Sequence, residues 1–82
     1  MNQAEITEKV VALITPYVKN RDALANIGPD TSILGDLGVN SARLVDIVLA
    51  FEDEFNIEVS DDAADSIATI GDAVALIGKL VG

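Results

Sequence analysis

The 82-residue sequence predicts an all-α fold, a small four-helix bundle built from three long helices and one short one. Apolar residues recur at steps of three and four near the start, the middle and the end of the chain, so each stretch lays one stripe on a helical face. Residues suited to opening a helix, Asn40, Ser60 and Thr69, stand before the later segments. The one alternating run, Ile57-Glu58-Val59, is too short to make a sheet.

The first helix is predicted from Gln3 to Val18, where Ile6, Val10, Leu13, Ile14 and Tyr17 form one stripe. Pro16 lacks the donor for the residue four back and clashes with that carbonyl, which predicts a kink or an early end near Thr15. Asn20, Asn26, Gly28, Pro29, Asp30, Gly35, Asp36 and Gly38 then read as a long connection across residues 20–39. A loop of that length is uncommon without function or structure of its own. Leu24, Ile27, Ile33, Leu34 and Leu37 are the residues expected to pin it to the core.

The second helix opens at Asn40 as N-cap, with Ser41 in its first turn. Leu44, Ile47, Val48, Phe51 and Phe55 form its buried stripe, Asp46, Glu52 and Asp53 occupy the opposite face, and Asn56 ends it. Ser60-Asp61-Asp62 starts a short third helix of about two turns, its acids placed at the positive end of the helix dipole. Thr69-Ile70-Gly71-Asp72 resembles a capping box with Asp in the place of Glu or Gln. The last helix follows, offering Ala73, Val74, Ile77, Leu80 and Val81 to the core.

Composition narrows the function. One domain over residues 1–82 is the expectation, and a chain this short buries only roughly 60 to 65% of the surface its unfolded form exposes. Tyr17, Phe51 and Phe55 are the only aromatics, so packing rests on Ile, Leu, Val and Ala. With no cysteine and no histidine, thiol nucleophiles, thiolate metal sites and the commonest general base are all missing. Lys9, Lys19 and Lys79 lie far from Ser41 in sequence and no nucleophile elbow is present, which leaves an enzyme the least favoured class. Neither Glu52-Asp53-Glu54 nor Asp61-Asp62 has the spacing of a calcium loop, so no metal is expected.

The formal charge of -9 is uneven: residues 1–40 carry five acids and three bases, residues 41–82 nine acids and two bases. Such a field repels nucleic acid and attracts basic protein surfaces. No apolar run approaches the roughly 20 residues that span a bilayer, and Met1-Asn2-Gln3-Ala4-Glu5 has neither a basic start nor an apolar core, so a cytoplasmic protein without membrane insertion is expected.

Ser41 is the candidate reactive position. A hydroxyl in the first helical turn, after the Gly38 turn, is exposed and firmly placed, and nearby unpaired N–H groups favour an attached phosphate. A serine that simply helps to cap the helix is the plainer alternative.

Asp36-Leu37-Gly38-Val39-Asn40-Ser41, followed by Leu44-Val45-Asp46-Ile47-Val48-Leu49-Ala50-Phe51-Glu52-Asp53-Glu54-Phe55-Asn56-Ile57, closely resembles the acyl carrier proteins. Val59-Ser60-Asp61-Asp62 and Ile67-Ala68-Thr69-Ile70-Gly71-Asp72 extend the resemblance over nearly the whole chain. It implies a bundle of the acyl carrier protein type and a covalent 4'-phosphopantetheine arm on Ser41, taken from coenzyme A, whose thiol holds acyl groups as thioesters. The protein would then be a carrier and not a catalyst.

The resemblance also implies partners. A phosphopantetheinyl transferase would load the arm, and acyl-loading, synthase and acyltransferase enzymes with basic patches would dock on the acids Asp46, Glu52, Asp53, Asp61 and Asp65, with Leu49 as an apolar contact. A bound chain would slip between the second and third helices into a core lined by the candidates Val48, Phe51, Phe55, Ile67 and Ile70, which close packing opens only through helix movement. The family usually presents Asp-Ser-Leu where this chain has Asn40-Ser41-Ala42 followed by Arg43. Asn40 removes a negative charge beside the hydroxyl, Ala42 removes an apolar contact worth very roughly 2 kcal/mol if a partner buried it, and Arg43 adds a positive charge. Together they imply a dedicated partner set and a specialised lipid or fatty-acid biosynthetic pathway. The alternatives are a peptidyl or polyketide carrier, or an unmodified acidic interaction domain of the same fold. A monomer is the simplest state for a carrier that visits successive enzymes.

Overall fold

The computed structural model describes residues 2–81, so Met1 and Gly82, the two ends of the expected domain, lie outside the described residues. Helix α1 spans Gln3–Ile14 and buries Ile6, Val10 and Ile14. Its start is tied by Asn2, whose Oδ1 accepts from the Glu5 N–H at 2.9 Å while its Nδ2 donates to Glu5 Oε1 at 3.1 Å. The helix stops where Pro16 dictates. The chain tightens into a 3₁₀ turn over Thr15–Tyr17, with Pro16 in the first positions, where a missing N–H costs nothing. The predicted helix through Val18 is therefore four residues too long, and the early end near Thr15 is the observed one.

The long connection has structure of its own, including a 3₁₀ segment over Arg21–Asn26. Ile33 and Leu37 are fully buried and Leu24 and Ile27 half-buried, as expected. Leu34 is not a pin, being 40% exposed. Ile33 directly follows Ser32, which forms an isolated antiparallel bridge with Thr69, and its N–H donates to the Ala68 carbonyl at 3.0 Å. That bridge turns Ile33 inward and leaves its neighbour facing solvent. Val18 and Val39, not foreseen, complete the pinning.

Helix α2 covers Leu44–Phe55 and buries Ile47, Val48, Phe51 and Phe55. Asn56 ends it in the left-handed conformation at φ 53, and the N–H groups of Asn56 and Ile57 both donate to the Glu52 carbonyl. Helix α3 is Asp61–Asp65, shorter than the predicted two turns, and it buries no residue fully. Ser60 Oγ accepts from the Ala63 N–H at 3.2 Å to open it, and Ser66 Oγ donates to the Ala63 carbonyl at 2.7 Å as it closes.

Helix α4, Ile70–Val81, buries Ile70, Ala73, Val74 and Ile77. The predicted capping box is reciprocal: the Asp72 N–H donates to Thr69 Oγ1 and the Thr69 N–H donates to Asp72 Oδ2, each at 3.1 Å. The Ala68 N–H donates to the same oxygen, and these backbone donors, Ala68 foremost and then Thr69, hold the Asp72 carboxyl below its ordinary value. Leu80, predicted for the core, is 42% exposed. Four residues beyond Ile77 the stripe continues through Val81, which packs against the core and leaves Leu80 on the rim.

The three long helices converge on one apolar core in which, among the described residues, no polar side chain is buried. Helix α1 packs most extensively on α4 and also meets α2. The radius of gyration is 11.4 Å, so the connection and α3 lie against the bundle and do not extend from it.

Candidate functional site

The turn leading to Ser41 is tied on several sides. Asp36 Oδ2 accepts from the Ser32 N–H at 2.8 Å, Ser32 Oγ accepts from the Gly35 N–H at 3.0 Å, and the Leu37 carbonyl accepts from Lys19 and Asn20 N–H at 3.2 and 3.1 Å. Gly38 follows at φ +70, a conformation that L side chains rarely adopt. Val39 is then buried, its N–H donating to the Ile33 carbonyl at 3.2 Å. The next residues emerge at the surface on a backbone held from below.

Asn40 does the capping. Its Oδ1 accepts from the Ala42 N–H at 2.9 Å and its carbonyl from the Arg43 N–H at 2.8 Å. Ser41–Arg43 form a 3₁₀ turn that runs into α2, so Ser41 precedes the α-helix and does not sit in its first turn as predicted. Two of the N–H groups expected to be open to a phosphate are therefore already occupied. Ser41 is exposed, and among the described residues its Oγ makes no hydrogen bond.

Beside Ser41 lies an open cleft of about 480 Å³ between α2 and α3. Leu44, Val45, Val48, Leu49 and Glu52 form one wall, and Val59, Asp61, Ala64 and Asp65 the other. Val45 and Leu49, one helical turn apart, are 64% and 56% exposed on the α2 side. Of the proposed lining residues, Val48 reaches this cleft, while Phe51, Phe55, Ile67 and Ile70 are buried in the core behind it. Val48 belongs to the same buried stripe but stands at its edge, while the other four lie in a close-packed interior that a chain reaches only if the helices move.

The acids divide into engaged and free ones. Arg43 Nη1 sits 3.1 Å from Asp46 Oδ2, so Asp46 is partly neutralised from the turn that leads into its helix. Lys9 Nζ is 3.1 Å from Glu54 Oε2. Glu52 Oε2 accepts from the Val59 N–H at 3.0 Å, a part-buried bond spanning seven residues. Asp53, Asp61 and Asp65 are exposed and make no ion pair among the described residues. Sequence reasoning missed Val45, whose only signal was its place one turn before Leu49. It also missed the bond to Val59, which depends on the path of the connection. Among the described residues no group of three or more acids is placed to hold a metal ion, and no helix is long and apolar enough to cross a membrane.

A family profile described as "Phosphopantetheine attachment site" matches residues 10–77, which contain the Gly38 turn, Ser41 and both cleft walls. The acyl carrier proteins of Sinorhizobium fredii and Rhizobium meliloti are each 42% identical over 76 residues, covering 93% of this chain and 95% of theirs. This chain belongs to the acyl carrier protein family. The acyl carrier protein of Prochlorococcus marinus is similar too, 38% identical over 77 residues, 94% of either chain. The solved structure of the acyl carrier protein from Enterococcus faecalis superposes with a TM-score of 0.81 at 31% identity, covering 98% of this chain and 99% of that one. As an acyl carrier protein, this molecule is a phosphopantetheine-dependent carrier and not a catalyst. Its composition suits that division, since the reactive thiol that a chain without cysteine cannot supply comes with the arm.

Proposed function

We propose that Ser41 is the residue that bears the 4'-phosphopantetheine arm, and that the protein serves a specialised lipid or fatty-acid biosynthetic pathway in the cytoplasm. The observation that carries this reading is the division of labour at the turn: Asn40 caps the 3₁₀ turn that leads into α2, so the Ser41 hydroxyl is spared that task. The arm's fit rests on that exposed, unengaged Oγ, on the positive end of α2 beside it, and on the cleft that begins at Ser41. When bound, the arm supplies a thiol that holds the acyl group as a thioester.

The chain's own residues provide position and recognition. A basic partner surface approaching α2 and α3 meets Asp53, Asp61 and Asp65 as free charges, with Leu49 and Val45 as apolar contacts between them. Surface charges of this kind favour rapid association and easy departure, which suits a carrier visiting a loading enzyme, a synthase and an acyltransferase in turn. Asn40, Ala42 and the Arg43–Asp46 pair alter the charge and apolar contact next to Ser41, which supports a partner set of its own, beginning with the transferase.

Intact mass tests the reading. Incubation with coenzyme A and a panel of phosphopantetheinyl transferases is expected to add one phosphopantetheine to the wild type and nothing to Ser41→Ala. Failure of every transferase on the folded protein would replace this reading with an unmodified acidic interaction domain.

A further inference from the structure

The segment that forms the far wall of the cleft is weakly anchored. Between Phe55 and Ile67, which are 8% and 4% exposed, no residue is fully buried, and α3 contributes only the half-buried Ala63 and Ala64. The hydrogen bonds within Ser60–Ser66 are local ones that hold α3 to itself. Ile57, Val59 and Ala64 pack on the core only as half-buried residues, and hydrogen-bonded attachment to α2 converges on one residue. The Glu52 carbonyl takes the N–H groups of Asn56 and Ile57, and its carboxylate takes that of Val59 at 3.0 Å. Beyond Ile57, the Val59 bond is the only hydrogen bond among the described residues that joins this segment to α2.

We infer that the Glu52 side chain is a latch that fixes the Ile57–Ser66 segment against α2 and so sets the opening of the cleft beside Ser41. A part-buried N–H donating to a carboxylate is a charge-assisted bond, stronger than a neutral one and costly to leave unmade. Where burial is slight, such a bond decides local opening. Glu52 lines the cleft, and so does Val59, so breaking the bond moves one wall away from the other. Glu52 is accordingly a positioning residue, and a partner that claims its carboxylate competes with the Val59 N–H for it. The cleft's service to cargo rests on the carrier reading above, whereas the latch does not.

The test uses the unmodified chain, so it neither needs nor probes Ser41. Glu52→Ala removes the acceptor at a position where alanine is a good helix former, so the variant folds. Amide hydrogen exchange at Val59 is expected to accelerate by about tenfold or more, with residues 60–66 following. Ile57, whose bond goes to the Glu52 backbone, and Val10 in the core are expected to keep their wild-type rates. Glu52→Gln presents a neutral acceptor at the same reach and restores much of the protection at Val59, whereas Glu52→Asp, one methylene shorter, does not. An unchanged Val59 rate in Glu52→Ala, or equal acceleration at Val59, Ile57 and Val10, overturns the latch.

Discussion

At Ser41 a single hydroxyl is kept available because its neighbour takes over the structural duty. The Asn40 Oδ1 bond to the Ala42 N–H is the type of N-cap contact whose loss to alanine typically costs about 1 kcal/mol. Asn40→Ala is therefore expected to lower stability by about 1 kcal/mol in urea unfolding, while Asn40→Asp, which keeps the acceptor, stays within about 0.5 kcal/mol of wild type. The aspartate adds a negative charge where a transferase with a basic site would meet it, so Asn40→Asp is also expected to be modified faster. Equal rates for the two proteins would show that the enzyme does not read the charge at this position. Arg43 acts in the same currency: its pair with Asp46 joins side chains 64% and 44% exposed. Such a pair contributes at most about 1 kcal/mol to stability, so its larger effect is on the charge pattern that a partner meets.

Among the elements, the entry to α4 is the most tightly specified. The Gly71 N–H donates to the Pro29 carbonyl at 2.9 Å, and a Cβ at Gly71 would come within 2.7 Å of that same oxygen. Gly71→Ala must push the 28–33 connection off the start of α4, at an expected cost of about 1–3 kcal/mol in urea unfolding. Gly28→Ala is the control: its added Cβ meets nothing within 4 Å, and its stability is expected to stay within about 0.5 kcal/mol of wild type. The long helices and the Thr69–Asp72 box were legible because their signals are local, a 3.6-residue stripe and two reciprocating side chains. The Arg21–Asn26 segment was not: the Asn20 side chain makes no capping bond, and the segment buries no side chain fully. Leu34 and Leu80 were misjudged because each adjoins an apolar residue that takes the inward place, the buried Ile33 and the half-buried Val81, and hydrophobicity alone does not say which of two neighbours faces inward. The candidate site divides the same way. Asn40 and Ser41 could be read from adjacent residues, whereas the Glu52–Val59 bond depends on a tertiary path.

For the molecule as a whole, charge is the dominant long-range term. With a net charge of -9 and a radius of gyration of 11.4 Å, the carboxylates lie within a few Debye lengths of one another at physiological salt, about 8 Å each. Protonating them as pH falls relieves self-repulsion. Asp72 acts in the opposite direction. Its carboxyl is held below the ordinary value by the Ala68 and Thr69 N–H groups, so the native state favours its ionised form. Its contribution is complete above the unfolded carboxylate value and is lost as pH falls through the lower native one. Asp72→Asn keeps an oxygen but no charge, so wild type is expected to be the more stable at pH 7. The gap should narrow only when the pH passes below the usual carboxylate range. Urea unfolding of the two proteins across pH, at low salt and at about 1 M salt, separates the two effects, because at high salt the Debye length shrinks to about 3 Å. The general relief of repulsion on acidification then weakens, while bonds of 3.1 Å made directly to backbone donors persist. A gap independent of pH would mean that the Asp72 charge adds nothing to the cap, and a gap abolished by salt would assign its effect to the field and not to those bonds.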